Sequence, residues 1–279
     1  MKIFVNNIKR NNISVLDRAV QFGDGCFTTI LIKRGTPILL DEHILRLKNG
    51  LKKLFIPELD WKKLKYDIKK IAFISKNTFS VIKIIISRGT SSGRGYSVIG
   101  CKSPNVISIL SEYPSWYSKK RHFGINLIFS KTLICVSKHL SQIKHLNRLE
   151  QILIKREIEL YSKADEAIVL DNEKRIISCC SSNIFWRKSN IIYTPSLFYA
   201  GVSGVMRKMV IDFIQKSEYK IKFVSHKKDS LNNAEEIVVT NSLMPVFFVK
   251  KVFNKNKVFW TYKSKSLFYT LSSYCLDLK

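Results

Sequence analysis

The chain has 279 residues and carries 48 Lys plus Arg against 21 Asp plus Glu, a formal net charge of +27. Hydrophobic residues make up 46% and aromatics 11%, with only 11 Gly and 6 Pro. That composition excludes a disordered chain, a collagen-like repeat and a low-complexity protein, and the length suits one large domain or two smaller ones.

Residues 1–40 read as short strands, with Phe27 to Ile32 and Ile38 to Leu40 flanking a turn that contains Gly35, a hairpin pattern. Asp41 is placed to cap a helix whose Ile44, Leu47, Leu51 and Leu54 follow three- and four-residue spacing. A second helix is predicted near Trp61 to Ile74, with Trp61, Leu64, Ile68 and Ile71 on one stripe. Strands Phe79 to Ser87 and Val106 to Leu110 bracket the loop Arg88 to Tyr96. The strand pattern stops at residue 113, and Lys119-Lys120-Arg121 follows. This reads as an N-terminal domain over 1–113, a linker over 114–121 and a C-terminal domain over 122–279.

The second half opens with strand Ile125 to Phe129, then a helix expected to turn Leu149, Ile152, Leu153 and Leu160 inward. Ala167 to Leu170 and Arg175 to Phe185 read as strands joined by a turn. A loop with Gly201 and Gly204 leads into a helix over Val205 to Ile214. Strands near Ile221 to Val224, Ile237 to Thr240 and Val246 to Val252 precede a final helix over Ser264 to Tyr274. No internal repeat is present, so the class is α+β in two halves.

Lysines interrupt nearly every segment instead of clustering, and no zinc-ligand pattern, heptad zipper or RNP-type motif accompanies them. A nucleic-acid partner is therefore not expected, although a positive field can steer an anionic substrate. The six cysteines form no CxxC pair, which argues for a reducing, cytoplasmic setting and against a metal site. Apolar runs such as Val81-Ile82 and Ile84 to Ile86, broken by Lys83, are strand-length, far short of a membrane helix.

Several segments carry candidate chemistry, and each taken alone also fits an ordinary surface role. Lys144 precedes a helix among Leu140, Ile143 and Leu146; a lysine in a dry or cationic setting becomes nucleophilic. Gly201-Val202-Ser203-Gly204 opens a helix, a natural seat for phosphate, and Thr240-Asn241-Ser242 ends a strand in further donors. Arg46 lies three residues after His43, placed to reach an anion. The loop Arg88-Gly89-Thr90-Ser91-Ser92-Gly93-Arg94-Gly95-Tyr96 offers arginines suited to carboxylates.

These segments occur together and in order, and with them the chain resembles the fold-type IV pyridoxal-phosphate (PLP) enzymes, the class of branched-chain and D-amino-acid aminotransferases. The matching stretches include Asp17 to Thr29, His43 to Leu47, Ser87 to Tyr96, Ile143 to Leu153, Asp165 to Ala167, Ser182 to Lys188, Tyr193 to Pro195, Ala200 to Arg207 and Asn241 to Val246. Lys144-His145-Leu146-Asn147-Arg148-Leu149-Glu150-Gln151 and the loop ending in Met206-Arg207 are most similar to the aminodeoxychorismate lyase branch.

The resemblance implies a smaller N-terminal α/β domain, a larger C-terminal domain with a barrel-like sheet, and a homodimer whose site lies between the domains. It implies that Lys144 holds PLP covalently and then moves protons, and that Arg46 binds the phosphate with the N–H groups of Val202 and Ser203 and the Asn241-Ser242 turn. Thr29 matches a position beside the reacting carbon, and Arg94 a position that meets a substrate carboxylate. Where the family has a glutamate against the pyridine nitrogen, this chain has Ser178. A carboxylate keeps that nitrogen protonated, whereas a hydroxyl only hydrogen-bonds to it. The implied reaction converts 4-amino-4-deoxychorismate to 4-aminobenzoate and pyruvate, a step toward folate. The alternatives are a related D- or branched-chain aminotransferase and, more distantly, a basic nucleic-acid binder.

Overall fold

The computed structural model describes residues 1–91, 93–101, 103–161, 163–255 and 257–276. Ser92 of the arginine-bearing loop and the last three residues of the C-terminal half lie outside the described residues. The chain divides into two compact units: residues 1–114 with 143–147, and residues 115–142 with 148–278.

The first unit contains β1 (Lys2–Val5), β2 (Ile8–Lys9), α1 (Arg18–Phe22), β3 (Gly25–Lys33), β4 (Thr36–Pro37), α2 (Leu40–Lys53), α3 (Trp61–Phe73), β5 (Phe79–Ser87) and β6 (Asn105–Glu112). The strands form one antiparallel sheet in the order β2-β1-β6-β5-β3-β4. In β3 and β5, Cys26, Ile30, Ile32, Ile82, Ile84 and Ile86 are buried against Ile44, Leu47 and Leu51 of α2 and Leu64, Ile68 and Ile71 of α3. Each such aliphatic side chain contributes about 1.5–3 kcal/mol on burial. Alternation then sends Phe27, Thr29 and Lys83 to the other face.

Helix α2 differs from expectation at its start. Asp41 is not the cap: Leu39, in the left-handed region at φ 53°, precedes the helix, and Asp41 lies inside the first turn. There its carboxylate favours the helix dipole and pairs with Lys65. The returning hairpin strand is Thr36–Pro37, so Ile38 and Leu39 lead straight into the helix at Leu40.

The second unit contains α4 (Ser115–Phe123), β7 (Ile125–Phe129), α5 (Leu149–Leu160), β8 (Glu166–Leu170), β9 (Ile176–Cys179), β10 (Asn183–Lys188), β11 (Ile191–Pro195), α6 (Val205–Ile214), β12 (Lys220–Val224), β13 (Glu236–Thr240), β14 (Phe247–Asn254), β15 (Lys257–Thr261) and α7 (Ser266–Leu276). Its mixed sheet runs β12-β11-β10-β13-β14-β7-β8-β9, with β15 also on β14. Although β9 ends this order, it approaches β10 and β11 near the opposite end, so the sheet curls into a half-barrel. In its core, Leu127 of β7 packs with Ile168, Ile184, Trp186, Ile237 and Val239.

Three expectations change in this unit. Residues 114–121, read as a linker, fall largely within α4, because the basic run behind Pro114 consists of adequate helix formers. The long strand over 175–185 is two strands, interrupted where Ser181 and Ser182 turn toward the buried Glu166 carboxylate. Helix α5 buries Ile154 and Ile158, while Leu149, Ile152, Leu153 and Leu160 are exposed. Both stripes have helical spacing, so periodicity alone did not decide which one faces inward.

Candidate active site

Lys144 is held in the first unit by its main chain. Phe27 N–H donates to Lys144 O at 2.9 Å, Leu146 N–H donates to Gly25 O at 3.0 Å, and Cys26 bridges to His145. Gly25 permits this approach: a Cβ there would lie 2.3 Å from Ile86 O and 2.9 Å from Leu146. The Lys144 side chain is half-buried, with Nζ 4.7 Å from the Phe27 ring centroid.

Lys83 Nζ lies at the same distance from that ring, and Lys83 pairs directly with Thr29 across the β3–β5 ladder. Two amines, an aromatic face and a hydroxyl thus share one side of the sheet. Burial pulls the Lys83 ammonium below its ordinary pKa. Sequence reasoning assigned Lys83 no function; its signal was a single lysine inside an otherwise apolar strand.

Arg46 is on α2 and donates to Thr28 Oγ1, on the other side of β3 from Thr29. Thr28 Oγ1 is 2.6 Å from His43 Nδ1. Burial, reinforced by the Arg46 charge, pushes His43 well below its usual pKa, so its ring is neutral. With Arg46 donating to the hydroxyl, Thr28 donates onward to Nδ1. Thr28 and His43 were the unrecognised supports of this arginine. Arg94 lies in an exposed loop.

In the second unit, Gln142 N–H donates to Gly201 O and Ser203 N–H to Gln142 O, at 2.8 and 2.9 Å. The Ser203 amide is therefore already engaged, which corrects the expectation that it would face a phosphate; its hydroxyl and the first-turn amides of α6 are the donors to consider. Asn183 Nδ2 donates to Val202 O at 3.0 Å. Gly204 leaves room beside it, since a Cβ would meet Asn183 Oδ1 at 2.1 Å. Directly opposite Asn183 in the ladder is Thr240, fully buried, whose Oγ1 has no hydrogen-bond partner. An orphaned buried hydroxyl on the face that holds the 201–204 turn fits an anionic oxygen acceptor.

Asn241 shapes the adjoining turn: its Oδ1 accepts from Leu243 and Met244 N–H at 2.9 and 2.7 Å, and Nδ2 donates to Ser181 O at 3.3 Å. Ser242 follows, half-buried. Ser178 is half-buried on β9, opposite Val169. The structure thus groups Lys144 with Thr29 and Lys83, seats Arg46 on Thr28, and gathers Val202, Ser203 and Thr240 around Asn183.

Residues 25–252 match the family described as amino-transferase class IV. The chain belongs to that family. Among class IV relatives, an aminodeoxychorismate lyase of Vibrio harveyi is 35% identical over 87% of this chain and 88% of its own length. One from Bacillus subtilis is 27% identical over 86% of this chain and 81% of its own. The crystal structure of 4-amino-4-deoxychorismate lyase from Pseudomonas aeruginosa superposes with a TM-score of 0.90 at 28% identity, covering 99% of this chain and 98% of that one. The fold is the α+β arrangement of the fold-type IV class.

Proposed function

We propose that this chain is a PLP-dependent lyase that converts 4-amino-4-deoxychorismate to 4-aminobenzoate and pyruvate, a step toward folate. The observation that carries the reading is the half-buried Lys144 amine on the Phe27 ring, beside Thr29 and Lys83, in a chain with lyase relatives at this identity and coverage.

The donor set fits the cofactor. Lys144 supplies the amine for its aldehyde. Arg46, steadied by Thr28 and His43, would supply a guanidinium to its phosphate, and the Val202 N–H, the Ser203 hydroxyl, the α6 amides and the Ser242 end of the Asn241-Ser242 turn would supply further donors. Ser178 offers the ring nitrogen a hydroxyl and no charge. When bound, PLP supplies an electron sink for the bond broken at the substrate carbon.

Lys144 takes the proton from C4 of the substrate, and Thr29 holds the proton path beside it. Loss of that proton expels the enolpyruvyl oxygen from the ring, leaving 4-aminobenzoate aromatic, while the enol takes up a proton to become pyruvate. Aromatisation supplies driving force that a transamination lacks, which is why a serine at 178 suits a lyase better than an aminotransferase. Arg94 and the desolvated Lys83 meet the substrate carboxylates.

The working form is a homodimer: Leu149, Ile152, Leu153 and Leu160 leave an apolar stripe on α5 that the chain itself does not cover. Six cysteines outside any disulfide suit the cytoplasm, and among the described residues no helix is long and apolar enough to cross a membrane. The scattered basic residues serve no nucleic-acid partner. The test is borohydride reduction of protein incubated with PLP, followed by peptide mapping and a product assay. Label on Lys144 with 4-aminobenzoate formed is expected; label elsewhere, or no product, sinks the reading.

A further inference from the structure

Arg18 opens α1 and is buried, with Nε donating to Asp24 Oδ2 at 2.8 Å. Its other nitrogens reach across to a loop far along the chain. Nη1 donates to Ser97 O at 3.1 Å and Gly95 O at 3.4 Å, and Nη2 donates to Tyr96 O at 3.2 Å. Three consecutive carbonyls, immediately after Arg94, therefore converge on one guanidinium. The Phe22 ring completes the contact: Arg18 Cζ sits 4.8 Å from its centroid, and the Tyr96 ring lies 5.4 Å away on the loop side.

Charge explains why the carbonyls are needed. Asp24 is shared, because Arg88 donates to both its oxygens, at 2.7 and 3.1 Å. Two buried guanidiniums thus have one carboxylate between them, and the surplus positive charge has to be met by main-chain oxygens. Arg88 uses Leu54 O and Phe55 O, each at 2.7 Å, and Arg18 uses the loop. Were the 95–97 backbone to swing away, the buried Arg18 would lose its three carbonyl acceptors and keep only its share of Asp24. The loop itself is otherwise exposed from Gly93 to Gly100.

We propose that Arg18 is a positioning residue for substrate recognition: it fixes the 95–97 backbone, and with it the Arg94 side chain that meets a substrate carboxylate. The second half of this statement rests on the function proposed above. Arg18 itself touches neither substrate nor cofactor. An arginine is needed because a lysine ammonium keeps the charge yet cannot serve Asp24 and three carbonyls with a planar fork.

The test compares the wild-type holoenzyme with Arg18→Lys and, as a milder loop-side change, the exposed Tyr96→Ala. Tryptic cleavage after Arg94, located by fragment mass, is expected to run roughly tenfold faster in Arg18→Lys, and faster in Tyr96→Ala by a smaller factor. In Arg18→Lys the KM for aminodeoxychorismate is expected to rise roughly tenfold with kcat within about twofold. Combined with Arg94→Gln, Arg18→Lys is expected to add no further increase in KM, a non-additivity that a general loss of stability would not produce. Unchanged cleavage, or additive KM effects, overturns the proposal. If Arg18→Lys does not fold, Tyr96→Ala decides the outcome by the same readouts. A wild-type enzyme that forms no 4-aminobenzoate counts against the proposed function alone; cleavage then decides the hold of Arg18 on the loop by itself.

Discussion

Thr28 and Thr29 are neighbours on β3 and face opposite ways: Thr28 is buried against His43 and Arg46, whereas Thr29 lies half-exposed opposite Lys83. The pair separates two tasks. Thr28→Val removes the hydroxyl that accepts from Arg46 and meets His43 Nδ1, a loss of about 1–3 kcal/mol, so PLP affinity measured by titration should fall by about tenfold or more. Thr29→Val should leave PLP affinity within about twofold and lower kcat by roughly 10²-fold. Equal effects of the two variants on PLP affinity would contradict the division.

Lys144→Ala should bind PLP without forming a bond that borohydride can trap, and its kcat should drop by at least about 10²–10⁴-fold. Mass spectrometry of the reduced protein checks the first point and product formation the second. Retention of the reducible linkage at another lysine, with activity intact, would show that the amine was misassigned.

Ser178→Glu should shift the absorption of the bound cofactor, because a carboxylate beside the ring nitrogen would stabilise its protonated form as a neutral hydroxyl does not. The same variant should gain a half-reaction with an amino acid such as D-alanine or leucine. An unchanged spectrum across pH would mean that position 178 does not meet the ring.

How much of this was legible beforehand follows from the kind of pattern each feature leaves. The core stripe Ile44, Leu47 and Leu51 and the strand over 79–87 were readable because burial imposes its own period. The α5 assignment failed because that helix has two apolar stripes, and only tertiary packing selects Ile154 and Ile158. Lys144, Arg46 and the 201–204 turn are assigned by family likeness, since one lysine among so many has no local signature. Lys83 was visible only as a break in an apolar run, and the engagement of the Ser203 amide by Gln142 is a long-range bond that no local pattern announces.

His43 gives stability a pH dependence whose sign is fixed by its neutral, buried state. Its folded pKa is lowered well below the ordinary value, so as pH falls the unfolded chain takes up this proton first. The contribution is therefore complete above about pH 6.5 and declines below it, by up to ~1.4 kcal/mol per pH unit, until the lowered folded value is reached. Urea midpoints between about pH 5 and 8 should fall with acid in the wild type and more shallowly in His43→Asn. Identical slopes would remove His43 as the cause.

The exposed stripe on α5 should govern association. Leu153→Glu places a charge among Leu149, Ile152 and Leu160, and light scattering should report a monomer where the wild type gives a dimer. A wild-type monomer, or a dimer indifferent to the charge, would locate no interface on this helix.

Residues 143–147 belong by their contacts to the first unit, although the chain on either side of them belongs to the second. A fragment beginning at Ser115 would therefore inherit the lysine while losing Gly25 and Phe27, the strand residues that clamp its backbone. Neither portion, expressed separately, would hold Lys144 in this mount, so a gene split at that boundary would have to restore the clamp by reassembly.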